Sequence, residues 1–198
     1  MPTLTSEEAR LALADIEKTG KRMKQAMAAD AFGYYLIVWG LVWVAGFGGT
    51  FLRPDRAGIL WTVLVSLGIL ATATLGIASQ RRPKIRSSHH RAEGRQITLF
   101  WTAILVYAYT LAWILPLRGE MAPVVVLVSV IMLGYVIMGL WARSLLLSLI
   151  GLGVTAATLL GWHLLQPLSF MLWMAIFGGG GLLIPGAVIQ LRWRAAKP

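Results

Sequence analysis

Cysteine is absent from all 198 residues, so disulfide frameworks, thiolate nucleophiles and cysteine-ligated metal centres are excluded. Charge is just as absent from six long stretches, 31–52, 58–79, 96–116, 121–141, 144–165 and 168–191, none of which holds an Asp, Glu, Lys or Arg. Each is long enough to cross roughly 30 Å of hydrocarbon as a helix. Acidic residues are scarce, 8 against 18 Lys and Arg. With no carboxylate in any apolar stretch, an ordinary proton- or sodium-coupled pump loses its usual ion site. The hydrolase patterns GxSxG and HExxH are missing too, so intramembrane hydrolysis lacks both a nucleophile with its base and a metal motif. No catalytic residue, metal site or cofactor is expected, and the chain reads as a non-enzyme.

What is present is apolar surface, with a mean hydropathy of +0.72. Backbone groups in lipid must be satisfied within the segment, and the runs are continuous rather than alternating, so they predict helices and not a barrel. The expected fold is all-α: a polytopic transmembrane six-helix bundle over 31–198 with a short basic tail, preceded by an amphipathic helix over 1–30. The connections between spans are short apart from Gln80 to Arg95, which makes consecutive helices antiparallel neighbours.

The net charge of +10 would suggest nucleic acid in a soluble chain, but here it follows topology. Basic residues gather before the first span, after the second, after the fourth and after the sixth, whereas the opposite side carries only Arg53, Arg56 and Arg118. The positive-inside rule then places both termini in the cytoplasm, with the first span as an uncleaved anchor. Lys21, Arg22, Lys24, Arg81, Arg82, Lys84 and Arg86 are the candidate contacts to anionic headgroups. Trp61, Trp101, Trp113, Trp141, Trp162, Trp173 and Trp193 fall near span ends, where headgroup contact is expected.

Thr5 with Glu8 three residues later marks a helix start. From there Ala9, Leu13, Ile16, Gly20, Met23 and Met27 follow steps of four and three, forming one narrow apolar stripe. Gly20 predicts a kink, since glycine costs about 1 kcal/mol against alanine in a helix. The favoured reading is a helix lying on the bilayer; docking on a membrane partner or a second copy is the alternative.

Within the spans, two groups are candidates for a solute or helix-packing site. Gly178, Gly179, Gly180 and Gly181 stand in a row before Pro185, which predicts a kinked or unwound sixth span. Such breaks bind solutes in many transporters, although glycines more often let a neighbouring helix approach. The polar aromatics Tyr35, Trp39, Trp43, Tyr107, Tyr109 and Tyr135 form the second group, expected to face the bundle so that their polar atoms find partners. Small residues at four-residue spacing, Gly68, Thr72 and Gly76 in the second span and Gly153, Ala157 and Gly161 in the fifth, suggest packing faces and raise the idea of an inverted repeat. His163 sits alone near a span end, and His89 with His90 lies in a basic loop that disfavours metal.

EARLALADIEKTGKRMKQAM followed by YYLIVWGLVWVAGF resembles a group of small, uncharacterised bacterial inner-membrane proteins with a charged N-terminal helix and several spans. That resemblance covers about the first quarter of the chain, implies a multi-pass inner-membrane location and brings no activity with it. The expected role is a non-enzymatic membrane component working through packing or partner contacts against anionic lipid. The alternative is a small permease or channel for a neutral or weakly polar solute, using the sixth span as its broken helix.

Overall fold

A computed structural model describes residues 6–81, 88–115 and 121–195. Its described residues form helices and turns: α1 (Ser6–Leu52), a 3-10 turn at Pro54–Arg56, α2 (Ala57–Arg81), α3 (Ser88–Ile114), α4 (Ala122–Trp141), α5 (Leu145–Leu164), and a sixth span made of α6 (Pro167–Trp173), a π-helical stretch (Met174–Gly179) and α7 (Gly180–Ala195). Six helical segments are long and apolar enough to cross a membrane: Phe32–Leu52, Pro54–Ala78, Gly94–Ile114, Ala122–Trp141, Leu145–Leu164 and Pro167–Arg192. Their limits fall within a few residues of those expected from hydropathy.

At the N-terminus the expected helix and the first span form one element: α1 is one helix of 47 residues, continuous through Gly20, where a kink was expected, and across the span boundary. Helical neighbours on both sides offset the propensity cost of one glycine. The expected cap at Thr5 lies outside the described residues.

Helix order in space differs from helix order in sequence. α1 packs on α2 and on all three parts of the sixth span; the sixth span packs on α5; α5 packs on α4; and α4 packs on α3. The row therefore runs α2, α1, sixth span, α5, α4, α3. The second and third spans, on either side of the Gln80–Arg95 connection, are the two ends of this contact order and do not touch among the described residues. Leu36, Val128, Met132, Phe170, Met174 and Leu182 form the closed centre between α1, α4, α5 and the sixth span. Edge-on contact of Phe32 with Tyr135, ring centroids 6.3 Å apart, ties α1 to α4 across it.

This order gives the two halves unlike surroundings. Among the described residues the second span packs on α1 and the adjoining 3-10 turn alone, whereas the fifth lies between α4 and the sixth span. Gly68 is buried against Val42 and Trp39, but a methyl placed on Gly153 would meet nothing. The matching small-residue patterns do not have matching partners.

Candidate functional site

The sixth span owes its shape to a mismatch of periods. Phe170, Met174, Gly178, Leu182, Gly186 and Gln190 are all buried, a row at a strict spacing of four. In a plain α-helix, with 3.6 residues per turn, such a row would rotate by about 40° at each step and leave the core. The π turn at Met174–Gly179 takes up the surplus, because a π turn holds more residues than an α turn. So the glycine run does not unwind the span. It ends a π segment and opens α7, and Pro185 sits inside that helix.

Contacts around the four glycines are mostly closed. A methyl added to Gly179 would come within 2.6 Å of the Val44 amide nitrogen, one on Gly178 within 3.3 Å of the Trp43 ring, and one on Gly181 within 2.9 Å of a Val154 methyl. Only Gly180 has open space beside it. Further along the same crossing, a methyl on Gly186 would meet the Gly33 carbonyl oxygen at 2.9 Å, and one on Gly40 would meet the Leu183 amide at 2.7 Å. Partner numbers fall on one helix as they rise on the other, so α1 and α7 cross antiparallel, backbone against backbone. Gly33 with Gly40 and Gly179 with Gly186 share a seven-residue spacing, the repeat that keeps one helix seam facing its partner. That spacing is legible in the sequence and brings in Gly33 and Gly40 of the first span, which the broken-helix pattern of the sixth does not mark.

A second close crossing joins α4 to α5. Gly151 lies against the Met132 carbonyl and the Val136 amide, and Gly139 against Ser148. The two-residue turn between these helices closes with the Ser144 amide donating to the Gly139 carbonyl at 2.8 Å and the Arg143 amide to the Leu140 carbonyl at 3.3 Å. Arg143 takes φ 51° there, the left-handed conformation that this helix end requires.

Aromatic residues divide into two groups. Trp43, Phe47 and Trp61 form an edge-to-face ladder, with centroids 5.7 and 4.9 Å apart, and Tyr135 lies buried against Trp101 at 5.1 Å. Trp39 is half-buried in the same core. Tyr107 and Tyr109, expected to face inward, are each 59% exposed on α3, since among the described residues α3 packs on α4 alone. Trp39, Trp43 and Tyr135 thus belong to the core, and Tyr107 stands apart from them. The indoles also depart from expectation: Trp61 Nε1 donates to Thr50 Oγ1 at 3.1 Å, Thr50 in turn donates to the Gly46 carbonyl at 2.7 Å, and Trp173 Nε1 donates to the Ala157 carbonyl at 2.8 Å. Trp61, Trp101 and Trp173 therefore join helices to one another, whereas Trp113, Trp141 and Trp162 are exposed. The surroundings of the Trp193 side chain lie outside the described residues.

Thr158, fully buried, donates to the Val154 carbonyl at 2.7 Å and lies 3.5 Å from the Met174 sulfur. An open apolar groove of about 290 Å³ lies between the end of α3 and the start of α4, lined by Tyr109, Ala112, Trp113, Pro123, Val124 and Leu127. None of the glycine quartet borders it. His163 is exposed and rests on the Trp162 ring, and no cluster of three potential metal ligands occurs among the described residues. Of the basic candidates, Lys21, Arg22 and Lys24 lie on α1 and Arg81 ends α2; Arg82, Lys84 and Arg86 lie outside the described residues. No protein-family model matches the chain, and neither a curated protein nor a solved structure does.

Proposed function

We propose that the chain is a non-enzymatic integral membrane component that works by presenting helix faces to a membrane partner, with its basic segments held at anionic lipid. The observation that carries this reading is the occupied glycine seam: Val44, Trp43 and Val154 fill the space that a solute would need at Gly178, Gly179 and Gly181. Meanwhile, among the described residues, α2 and α3 each pack on one other helix and expose Ile59, Leu67, Leu70, Leu99 and Val106. The interior is spent on packing, and recognition is left to the outside.

The charge distribution supports an orientation with both termini in the cytoplasm, and the resemblance of the N-terminal quarter points to a bacterial inner membrane. Lys21, Arg22 and Lys24 then stand where the anionic leaflet attracts them, at about 1 kcal/mol per cation near the surface.

Thermal stability of the purified protein against a panel of neutral and weakly polar solutes tests the reading. The expected result is no solute-dependent shift. A solute that raises the melting temperature, with the effect removed by Gly179→Ala, would replace this proposal with a permease using the sixth span.

A further inference from the structure

We propose that the bundle is a clamp of two bodies, one made of α2, α1 and the sixth span and the other of α5, α4 and α3, which part and close about a hinge at the turn between α5 and α6. The inference goes beyond the partner-contact reading and does not depend on it. Its first support is an inequality among the seams. Gly33, Gly40, Gly179 and Gly186 set the α1 backbone against the sixth span, and Gly139 and Gly151 set α4 against the backbone of α5 in the same way. Where α5 meets the sixth span, the glycines meet side chains instead. A methyl on Gly161 would come within 2.6 Å of the Trp173 ring and 3.1 Å of the Phe170 ring, and one on Gly181 within 2.9 Å of a Val154 methyl. Backbone held against backbone yields only if a whole helix moves, whereas side chains can change rotamer, so a seam of side chains is where packed helices shear.

Position of the polar ties gives the second support. The chain passes between the bodies twice, through the connection from α2 to α3 and through Leu165 and Gln166. Both of the latter residues are extended, at φ −120°, ψ 153° and φ −78°, ψ 161°, and a few such residues at element ends can absorb a hinge rotation. Beside this turn the Trp173 indole donates to the Ala157 carbonyl at 2.8 Å, and the Thr158 hydroxyl lies 3.5 Å from the Met174 sulfur. All four residues stand about two turns of helix from it. A pivot tied here leaves the far end of the bundle, where Phe32 opens the first span, with the largest travel.

At that far end the bodies meet ring to ring. Among the described residues α1 and α4 do not pack on each other as helices; Phe32 and Tyr135 bridge them, with centroids 6.3 Å apart and planes at 83°. Tyr135 is held within its own body by Trp101 at 5.1 Å, so Phe32 is the latch that reaches across. Lipid makes its release cheap. Acyl chains cover apolar side chains as well as another helix does, and an apolar contact inside the membrane has no hydrophobic effect to keep it shut. The glycine seams do not share that weakness, because close backbone packing has no equivalent in lipid. Opening therefore separates α1 from α4 and leaves each body intact.

With no native cysteine to remove, pairs of spin labels can be placed at exposed positions of the full chain in lipid nanodiscs. Leu70→Cys with Ile184→Cys and Leu99→Cys with Leu152→Cys report within the bodies, Ile77→Cys with Leu99→Cys between them at the Phe32 end, and Ile59→Cys with Ile114→Cys between them at the hinge end. Double electron–electron resonance should give one narrow distance for each within-body pair, and a short and a long population for Ile77 with Leu99. Phe32→Ala should raise the long population by about threefold or more, as loss of an edge-to-face pair implies, with the within-body distances unchanged. A between-body distribution as narrow as the within-body ones would overturn the inference in the parent protein alone, even if Phe32→Ala fails to fold. Equal spread at the two ends would overturn the hinge, and a shift of the within-body distances in Phe32→Ala would overturn the division into bodies. Failure of the partner-contact reading appears separately, as solute-dependent stabilisation.

Discussion

Gly179 and Val44 bring two helix backbones together in the middle of the bundle: a single methyl on the glycine would reach 2.6 Å from the valine amide nitrogen. Such contact is available only to a residue without a side chain, and it sets the distance between the first and sixth spans. Helix association in lipid depends on close packing of this kind, because lipid tails compete equally for apolar surface.

Adjacent glycines should consequently respond in opposite ways. Gly179→Ala is expected to destabilise by about 1–3 kcal/mol through overpacking against backbone that cannot yield. Gly180→Ala, with open space around it, is expected to be neutral or to stabilise by up to about 1 kcal/mol through helix propensity. Equilibrium unfolding in detergent micelles measures both. Equal effects would remove the packing explanation of the quartet.

Arg143 offers a gain. Its left-handed backbone costs a residue with a side chain about 1–2 kcal/mol that glycine does not incur. Arg143→Gly should therefore raise stability by about 1 kcal/mol, read as a higher unfolding midpoint with unchanged helicity by circular dichroism. A lower midpoint would mean that the arginine side chain makes compensating contacts.

Tryptophans should separate by hydrogen bonding rather than by depth. Trp173→Phe removes the donor to the half-buried Ala157 carbonyl, an expected loss of about 0.5–1.5 kcal/mol. Trp113→Phe, at a residue 88% exposed, should lie within about 0.5 kcal/mol of the parent. The same unfolding assay compares them, and the ranking is the critical outcome.

Topology gives a prediction independent of packing. A cytoplasm-active reporter fused after Pro198 should be active, and a periplasm-active one at the same position silent, with the reverse pattern for fusions in the connection near Arg118. A silent cytoplasmic reporter after Pro198 would undo the assignment of sides and, with it, the place of the basic residues at the anionic leaflet.

Much of the fold was legible because crossing a membrane is a local property. A run such as 122–141 or 145–164 declares its length and composition without reference to any other segment, and the helices follow from backbone satisfaction. The candidate site was legible only in part. Glycines 178–181 marked a feature of the sixth span, but a break and a packing seam share the same letters, and the difference lies in whether Val44 and Val154 stand opposite. Tyr107 and Tyr135 look alike in the sequence; one is exposed, whereas the other is buried between Trp101 of α3 and Phe32 of α1.

By itself, then, the amino-acid order determined how many helices are long and apolar enough to cross a membrane, their approximate limits and which connections carry the basic residues, since each depends on residues near one another in the chain. Tertiary structure alone decided which helices are neighbours, that the second and third spans do not touch among the described residues, and that Trp43, Val44 and Val154 stand against the glycine run. The physical reason is that a span apolar on every face carries no local mark of which face is buried. Shape complementarity between distant segments makes that choice.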